Sequence, residues 1–254
     1  MSEQSSQSTR TYPSIDGGWI KDVPRLSKTI GAILGVFLFL GVFFYQYTSP
    51  FFALNAARVG PPEFKLWTLF TAGFYDYSII GGILNIILLM IFGKQFEPIW
   101  GSTEFMKFIS IVNIFSGLCV FLYFIFYYSI TGQSSVLYEA NSCGFSGVIA
   151  GFTVVLKQLF PEQIIPIFFG VNIRAKHLPS IYVLITLVFM VIGLYSRSSH
   201  FVIFGTIVSW IYLRFYQRKG RENVRGDRNE SFSFATFFPE PLHNNNNQRL
   251  ILSP

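Results

Sequence analysis

A serine and three histidines could together support nucleophilic catalysis in this chain. Ser146 lies in the segment Gly144-Phe145-Ser146-Gly147, where its hydroxyl could serve as a nucleophile. A serine hydroxyl is a poor nucleophile at neutral pH unless a positioned base takes its proton. Loss of a triad member typically lowers the rate about 10⁴-fold or more. The candidates for the base are His177, His200 and His243. The helices that carry these residues decide which of them can reach Ser146.

The composition indicates that this chemistry would take place in a membrane. Apolar residues make up 51% of the chain and charged residues 13%, about half the charged share of a soluble domain. Cys119 and Cys143 have neither a disulfide framework nor a metal-binding spacing, so we expect no cofactor and no metal. The net charge of +6 lies mostly beside apolar segments or in the C-terminal tail. It favours anionic lipid over nucleic acid as the partner.

Six apolar segments are long enough, or nearly so, to form spanning helices, which need about 17 residues or more. Polar residues, glycine or proline separate them. They cover residues 29–47, 78–92, 106–128, 144–160, 180–196 and 201–216. We therefore predict an all-α, six-helix membrane domain over 29–216, with an arm of residues 1–28 before it and a tail of 217–254 after it. The arm contains no apolar run of signal-peptide length. We expect it to be retained and the first span to direct insertion.

The basic residues predict that both termini face the cytosol, because lysine and arginine are enriched in cytosolic loops. With the N-terminus inside, only Arg58, Lys65 and Arg197 of the 19 basic residues lie on the outside. The sequon from Asn229 to Ser231 then falls in the cytosolic tail and should carry no glycan.

This orientation leaves one histidine for Ser146. His177 falls in a cytosolic loop and His243 in the cytosolic tail, whereas Ser146 lies just inside the luminal end of its helix. His200, at the luminal start of the sixth span, remains as the candidate base. Both residues also have structural interpretations. His200 could contact water or headgroups at the membrane interface. Ser146 could belong to a small-residue face that packs against another helix and comprises Gly144, Ser146, Gly147, Ala150 and Gly151.

The tail of residues 217–254 is basic, then aromatic, then rich in asparagine. A basic stretch begins just before the tail and continues into it; it comprises Arg214, Arg218, Lys219, Arg221, Arg225 and Arg228. We expect this stretch to lie on anionic headgroups, with about 1 kcal/mol of attraction per basic residue. The alternatives are a plain stop-transfer flank or a peptide that recruits a partner. The asparagine run is low-complexity sequence, and we predict that the tail is largely disordered.

Three segments, in order along the chain, resemble the rhomboid superfamily of intramembrane serine proteases and their inactive relatives. They are the stretch from Leu66-Trp67-Thr68 through Phe74-Tyr75-Asp76 to Asn85; the set Gly93, Phe96, Glu97 and Gly101; and Gly144-Phe145-Ser146-Gly147. The resemblance implies a rhomboid-like helix bundle. Within it, Ser146 stands at the position of the nucleophile. Asn85 stands where the family stabilises the oxyanion.

The resemblance also implies that the base is displaced. In the family the histidine precedes a Gly-Gly pair by two residues, whereas His200 precedes the lone Gly205 by five. A shift of two or three residues turns a side chain by about 200 to 300° around a helix. Gly81 and Asp76 stand where the family has further histidines.

Two further stretches resemble the transmembrane protein 115 family, a rhomboid-like branch. They are Ser209-Trp210-Ile211-Tyr212-Leu213-Arg214-Phe215-Tyr216-Gln217-Arg218 and Phe234-Ala235-Thr236-Phe237-Phe238-Pro239-Glu240. Membership would imply a multi-pass Golgi membrane protein, with the ER membrane as the alternative. It would also imply a role in Golgi-to-ER retrograde vesicle transport, with trafficking proteins bound through the cytosolic tail.

We therefore interpret the chain as a non-catalytic rhomboid-like protein in which Ser146, His200 and Asn85 are vestigial. The alternative is an active intramembrane serine protease that uses Ser146 and His200. Ion-coupled transport is the weakest reading, because it needs ionisable groups at mid-membrane and those of this chain lie at or beyond the ends of the spans.

Overall fold

The computed structural model describes residues 22–167, 171–193, 198–219, 224–227, 232 and 237. In this part of the chain the protein is mostly helical. The helices are α1 (Arg25–Phe43), α2 (Tyr45–Phe52), α3 (Ala56–Val59), α4 (Thr68–Thr71), α5 (Ile79–Trp100), α6 (Ser102–Thr131), α7 (Ser134–Tyr138), α8 (Ser146–Leu159), α9 (Leu178–Val191) and α10 (Ser199–Ile211). A 3-10 turn (Ala175–His177) precedes α9, and a π-helical turn (Tyr212–Tyr216) continues α10.

Three two-stranded antiparallel sheets complete the described fold. The strands are β1 (Leu54–Asn55), β2 (Asn141–Ser142), β3 (Ile164–Ile167), β4 (Val171–Arg174), β5 (Arg218–Lys219) and β6 (Val224–Arg225). Their pairs are β1 with β2, β3 with β4, and β5 with β6. The first pair joins the loop after α2 to the segment before α8.

Each of the six predicted apolar segments contains a helix. Of these helices, α1, α5 and α6 are long and apolar enough to cross a membrane, whereas α8 and α9 are shorter apolar helices. The mostly helical membrane fold is thereby confirmed. The number of spans, the side of the membrane on which the termini lie and the limits of the three regions stay predictions.

Helix α8 forms the centre of the bundle. All its residues from Ser146 to Lys157 are buried, as expected of a helix enclosed by other helices. Around Phe152 lie the rings of Phe92, Phe96, Phe105 and Phe108, with ring centroids between 5.4 and 5.8 Å from that of Phe152. These rings come from α5 and α6, so the two long helices enclose α8.

A buried carboxylate joins the start of α1 to the end of α5. Glu97 accepts hydrogen bonds from the backbone N–H of Ser27 (3.1 Å) and from its hydroxyl (2.6 Å). It also accepts one from Ser102 at the start of α6 (2.8 Å). Three helices therefore meet at this point, which we call the Glu97 end of the bundle. At the other end, Gly41 of α1 packs against the backbone of Asp76, so α1 and α5 run antiparallel.

Helices α8 and α10 approach each other through glycine. A Cβ added at Gly205 would lie 2.3 Å from the carbonyl oxygen of Gly147, and one added at Gly151 would lie 2.3 Å from the hydroxyl of Ser209. Contacts this close need residues without side chains, as in small-residue helix interfaces in membranes. The predicted small-residue face around Ser146 is thus observed at Gly147 and Gly151.

The described residues of the tail pack against the bundle. Phe232 is 2% exposed, and its carbonyl accepts a hydrogen bond from the indole of Trp210 (3.2 Å). The carbonyl of Phe237 accepts one from Ser180 (2.7 Å), and its ring lies 3.5 Å from the ammonium of Lys157. Most of residues 217–254, including His243 and the asparagine run, lie outside the described residues. The prediction of a largely disordered tail therefore stays a prediction.

We expect Glu97→Ala to lower the free energy of unfolding by about 3 kcal/mol, because it leaves the buried N–H and hydroxyl of Ser27 without their acceptor. The matched control is Asp22→Ala, which removes an exposed acid paired with Lys94 and should cost less than about 1 kcal/mol. Denaturant titration of the purified protein in detergent measures both. Equal losses in the two variants would contradict this role of Glu97.

Gly205→Val should destabilise the protein by about 2 to 3 kcal/mol, because the new side chain would overlap the backbone of α8. Gly35→Val in α1 is the control, since a Cβ there has no neighbour within 4 Å. It should change the stability by no more than about 0.5 kcal/mol, the difference in helix propensity. Thermal unfolding followed by circular dichroism compares the two variants, and a similar shift in Tm would refute the close contact.

Candidate functional site

A cavity of about 820 Å³ lies between α5, α8 and α9. Its walls are mainly apolar, and the polar groups collect toward its two ends. At the Glu97 end, the side-chain amide of Gln95 donates to that of Gln163 (3.5 Å). At the opposite end, which we call the Ser146 end, the lining includes Asp76, Asn85, Ser146 and Ser198.

The polar groups at the Ser146 end come from the starts of three helices. The carboxylate of Asp76 accepts hydrogen bonds from the backbone N–H of Ser78 (3.0 Å) and from the amide of Asn85 (3.3 Å). The hydroxyl of Ser146 donates to the carbonyl of Ser198 (3.4 Å). These contacts connect the start of α5 to Asp76 and the start of α8 to the segment before α10.

Gly144 lets these groups approach one another. Its φ of +121° lies in a region that favours glycine. An added Cβ would lie 2.9 Å from the Cβ of Ser198, 3.5 Å from a carboxylate oxygen of Asp76 and 3.7 Å from the hydroxyl of Ser146. The glycine therefore leaves space where the acid, the hydroxyl and the segment before α10 meet.

His200 lies at the same end of the bundle but packs against α6. Its ring centroid is 4.9 Å from that of Tyr123 and 5.0 Å from that of Phe124. Among the described residues, the cavity is lined by Ser146 and Asn85 and not by His200. The structure thus brings two of the three candidate residues to one cavity and places the third against a neighbouring helix.

Helix geometry explains the orientation of His200. Gly205 faces α8, and so do Phe201 and Ser209, four residues before and after it. His200 precedes Gly205 by five residues, or about 500° of rotation, so it points about 140° away from the face that contacts α8. A histidine at this position cannot share the face of α10 that packs on the helix of Ser146.

Gly81 and Asp76 stand where the rhomboid superfamily has further histidines, and neither can act as a histidine does. Gly81 contributes no side chain to the cavity, and its N–H donates to the hydroxyl of Ser78, which caps α5. Asp76 is half-buried. Burial raises its pKa, while hydrogen bonds from the backbones of Ser78 and Tyr77 and from Asn85 act to lower it. The cavity therefore holds an acid at the position where the resemblance implies a histidine.

The sequence did not indicate that Asp76, Ser198 and Gln163 line one cavity. The place of Asp76 in the cavity depends on α8 and α10, which lie far from it in the chain. The buried Lys157 of α8 was also missed, because the aromatic ring beside it belongs to a distant part of the tail. Within the described ranges, no group of three or more histidine, cysteine or acidic residues could hold a metal ion.

Comparisons with known proteins identify relatives over most of the chain. The family described as "Eukaryotic integral membrane protein (DUF1751)" matches residues 29–247. Rhomboid-like protein 19 of Arabidopsis thaliana is 40% identical over 219 residues, which are 86% of this chain and 69% of that protein. Transmembrane protein 115 of Mus musculus is 31% identical over 220 residues, and that of Homo sapiens is 30% identical over the same length. These cover 85% of this chain but 61% of each mammalian protein.

The raised pKa of Asp76 predicts a pH dependence. A carboxyl with a higher pKa in the folded than in the unfolded state stabilises the fold below about pH 4, and this contribution is lost as the pH rises through the folded pKa. We therefore expect Asp76→Asn to gain stability relative to the wild type between pH 4 and pH 7. Thermal unfolding across this range measures the difference.

The control for this pH series is Glu63→Gln. Its hydrogen bond with Lys65 lowers the pKa of Glu63, so this variant should show the opposite trend or none. A constant difference between wild type and Asp76→Asn at every pH would contradict the burial of this charge.

Proposed function

The chain belongs to the eukaryotic integral membrane protein family DUF1751, and from this premise we propose that it is a non-catalytic rhomboid-like protein of the secretory pathway. It acts in Golgi-to-ER retrograde vesicle transport by binding partners. The resemblance to rhomboid-like proteins and to transmembrane protein 115 is confirmed by relatives that are 30 to 40% identical to most of the chain. The transport role rests on that family resemblance.

The observation that carries the non-catalytic part of the proposal is that the serine and the histidine side chains contact different groups. Ser146 lines the cavity and donates to the backbone of Ser198, whereas the ring of His200 lies on Tyr123 and Phe124 of α6. A serine without a base to accept its proton loses about four orders of magnitude in rate. The acid in the cavity, Asp76, accepts hydrogen bonds from Asn85 and from the start of α5.

The alternative is an active intramembrane serine protease. It is supported by the shared cavity of Ser146 and Asn85, since a nucleophile and an oxyanion donor would both have to face the substrate. This function requires α10 to rotate so that His200 leaves α6. The close contact between Gly205 and Gly147 opposes that rotation.

We also propose that six helices cross the membrane with both termini in the cytosol. The antiparallel arrangement of α1 and α5 supports this topology, because Ser27 meets Glu97 at one end of the bundle and Gly41 meets Asp76 at the other. The basic tail then lies at the cytosolic leaflet. There it contacts anionic headgroups and trafficking proteins.

The test compares Ser146→Ala, His200→Ala and the control Ser129→Ala, an exposed serine of α6 that donates within its own helix. Each variant is expressed in cells that lack the protein. We expect no cleavage of a reporter transmembrane substrate by any of them, while an active rhomboid protease cleaves it. All three should restore Golgi-to-ER transport as well as the wild type does.

Two results would count against this proposal. Cleavage by the wild type and by Ser129→Ala, lost in both Ser146→Ala and His200→Ala, would establish a protease. Normal transport in cells without the protein would remove the transport role and leave the membrane fold unaffected.

A further inference from the structure

The shape of the cavity indicates what it can hold. It follows one face of α5, where its lining residues recur every three or four positions from Ser78 to Gln95. This distance is about 26 Å, close to the thickness of the hydrocarbon core. A passage of this length with mainly apolar walls suits an extended hydrocarbon chain.

The cavity opens to the bilayer between α5 and α9. Leu84 and Ile91 of α5 and Ile185 of α9 line it, and they are 51%, 47% and 46% exposed. An apolar wall that is also exposed at mid-membrane faces lipid. An amphiphile can therefore enter from the bilayer with its chain first in contact with these residues.

The charge at the Ser146 end selects the head group. The described residues that line the cavity include one carboxylate, Asp76, and no lysine, arginine or histidine. A phosphate brought to this end would meet the negative charge of Asp76 and, among the described lining residues, no cation. At a partly desolvated site such repulsion is strong. A protonated amine would meet the carboxylate of Asp76, which forms none of the ion pairs seen among the described residues.

We propose that the cavity binds a phosphate-free, single-chain amphiphile with a protonated amine, the chemistry of a long-chain amino alcohol such as a sphingoid base. The amine contacts Asp76, the hydroxyl groups reach Ser146 and Asn85, and the chain lies along α5. This site goes beyond the proposed function and is compatible with either a non-catalytic protein or a protease.

Binding of the amine at this site should also depend on pH. Burial raises the pKa of Asp76, and an ammonium in contact with the carboxylate favours its charged form. Binding therefore strengthens as the pH rises through the pKa of the empty site, as long as the amine stays protonated.

The experiment uses the purified full-length protein in phosphatidylcholine nanodiscs with three photoactivatable probes of equal chain length. They are sphingosine, ceramide and phosphatidylcholine, which carry a cationic, a neutral and a phosphate-containing head. We expect sphingosine to label peptides of α5 and α9, and the phosphatidylcholine probe to label them at least about tenfold less. Ceramide should fall between them.

Two variants and two matched controls locate the site. Asp76→Asn should reduce sphingosine labelling about tenfold, since it removes a charge-assisted contact. Ile181→Trp should reduce it by filling the cavity. The controls are Glu139→Gln, an exposed acid outside the cavity, and Ile130→Trp, an exposed apolar residue of α6. Both should label within about twofold of the wild type.

The proposal is overturned if phosphatidylcholine labels these peptides as strongly as sphingosine, or if Asp76→Asn leaves sphingosine labelling unchanged. Labelling confined to other helices would also overturn it. Thermal unfolding shows whether Asp76→Asn is folded at the pH of the assay, so a loss of labelling by the folded variant does not come from unfolding. Cleavage and transport are separate readouts, so failure of the proposed function leaves this result intact.

Discussion

The close contact between α8 and α10 is the constraint on which the rest of the structure depends. Two helices in lipid gain little from burying apolar side chains, because the lipid is equally apolar. They associate through close packing and hydrogen bonds. Gly147 and Gly205 supply that packing by bringing one backbone against the other. With α10 fixed in this orientation, Ser146 remains at the cavity and His200 turns to the rings of α6. The interface between α8 and α10 thus determines both how the helices pack and which of Ser146 and His200 faces the cavity.

The cavity follows from the same arrangement. Because α8 is enclosed by α5, α6 and α10, the remaining space beside it lies toward α9. The starts of α5 and α8 and the segment before α10 bring their polar groups to one end of that space, where Asp76, Asn85 and Ser146 lie close together. Glu97 fixes the opposite end by joining three helices. A rigid frame with polar groups at both ends and an apolar passage between them is suited to binding an amphiphile.

Ser146 and Asp76 lie at one cavity, but they do not act together as a catalytic pair. Ser146 keeps the position of a nucleophile, but a hydroxyl needs a base oriented toward it, and orientation around a helix changes by about 100° per residue. Asp76 lies at the same cavity, yet its two oxygens already accept hydrogen bonds that stabilise the start of α5. A binding role requires only that these groups face the cavity, whereas a catalytic role would also require a proton acceptor in contact with Ser146.

The sequence by itself determined the membrane setting, the helix in each of the six apolar segments, the family, and the small-residue face at Gly147 and Gly151. These properties depend on local composition and on spacing within one segment. Only the tertiary structure decided that Asp76 and Ser198 join Ser146 at one cavity, that His200 faces α6, and that Phe237 covers Lys157. Each of these depends on how two helices are rotated against each other or on where a distant segment packs. Such rotations are set by contacts between residues far apart in the chain, and a pattern within a single segment does not contain them.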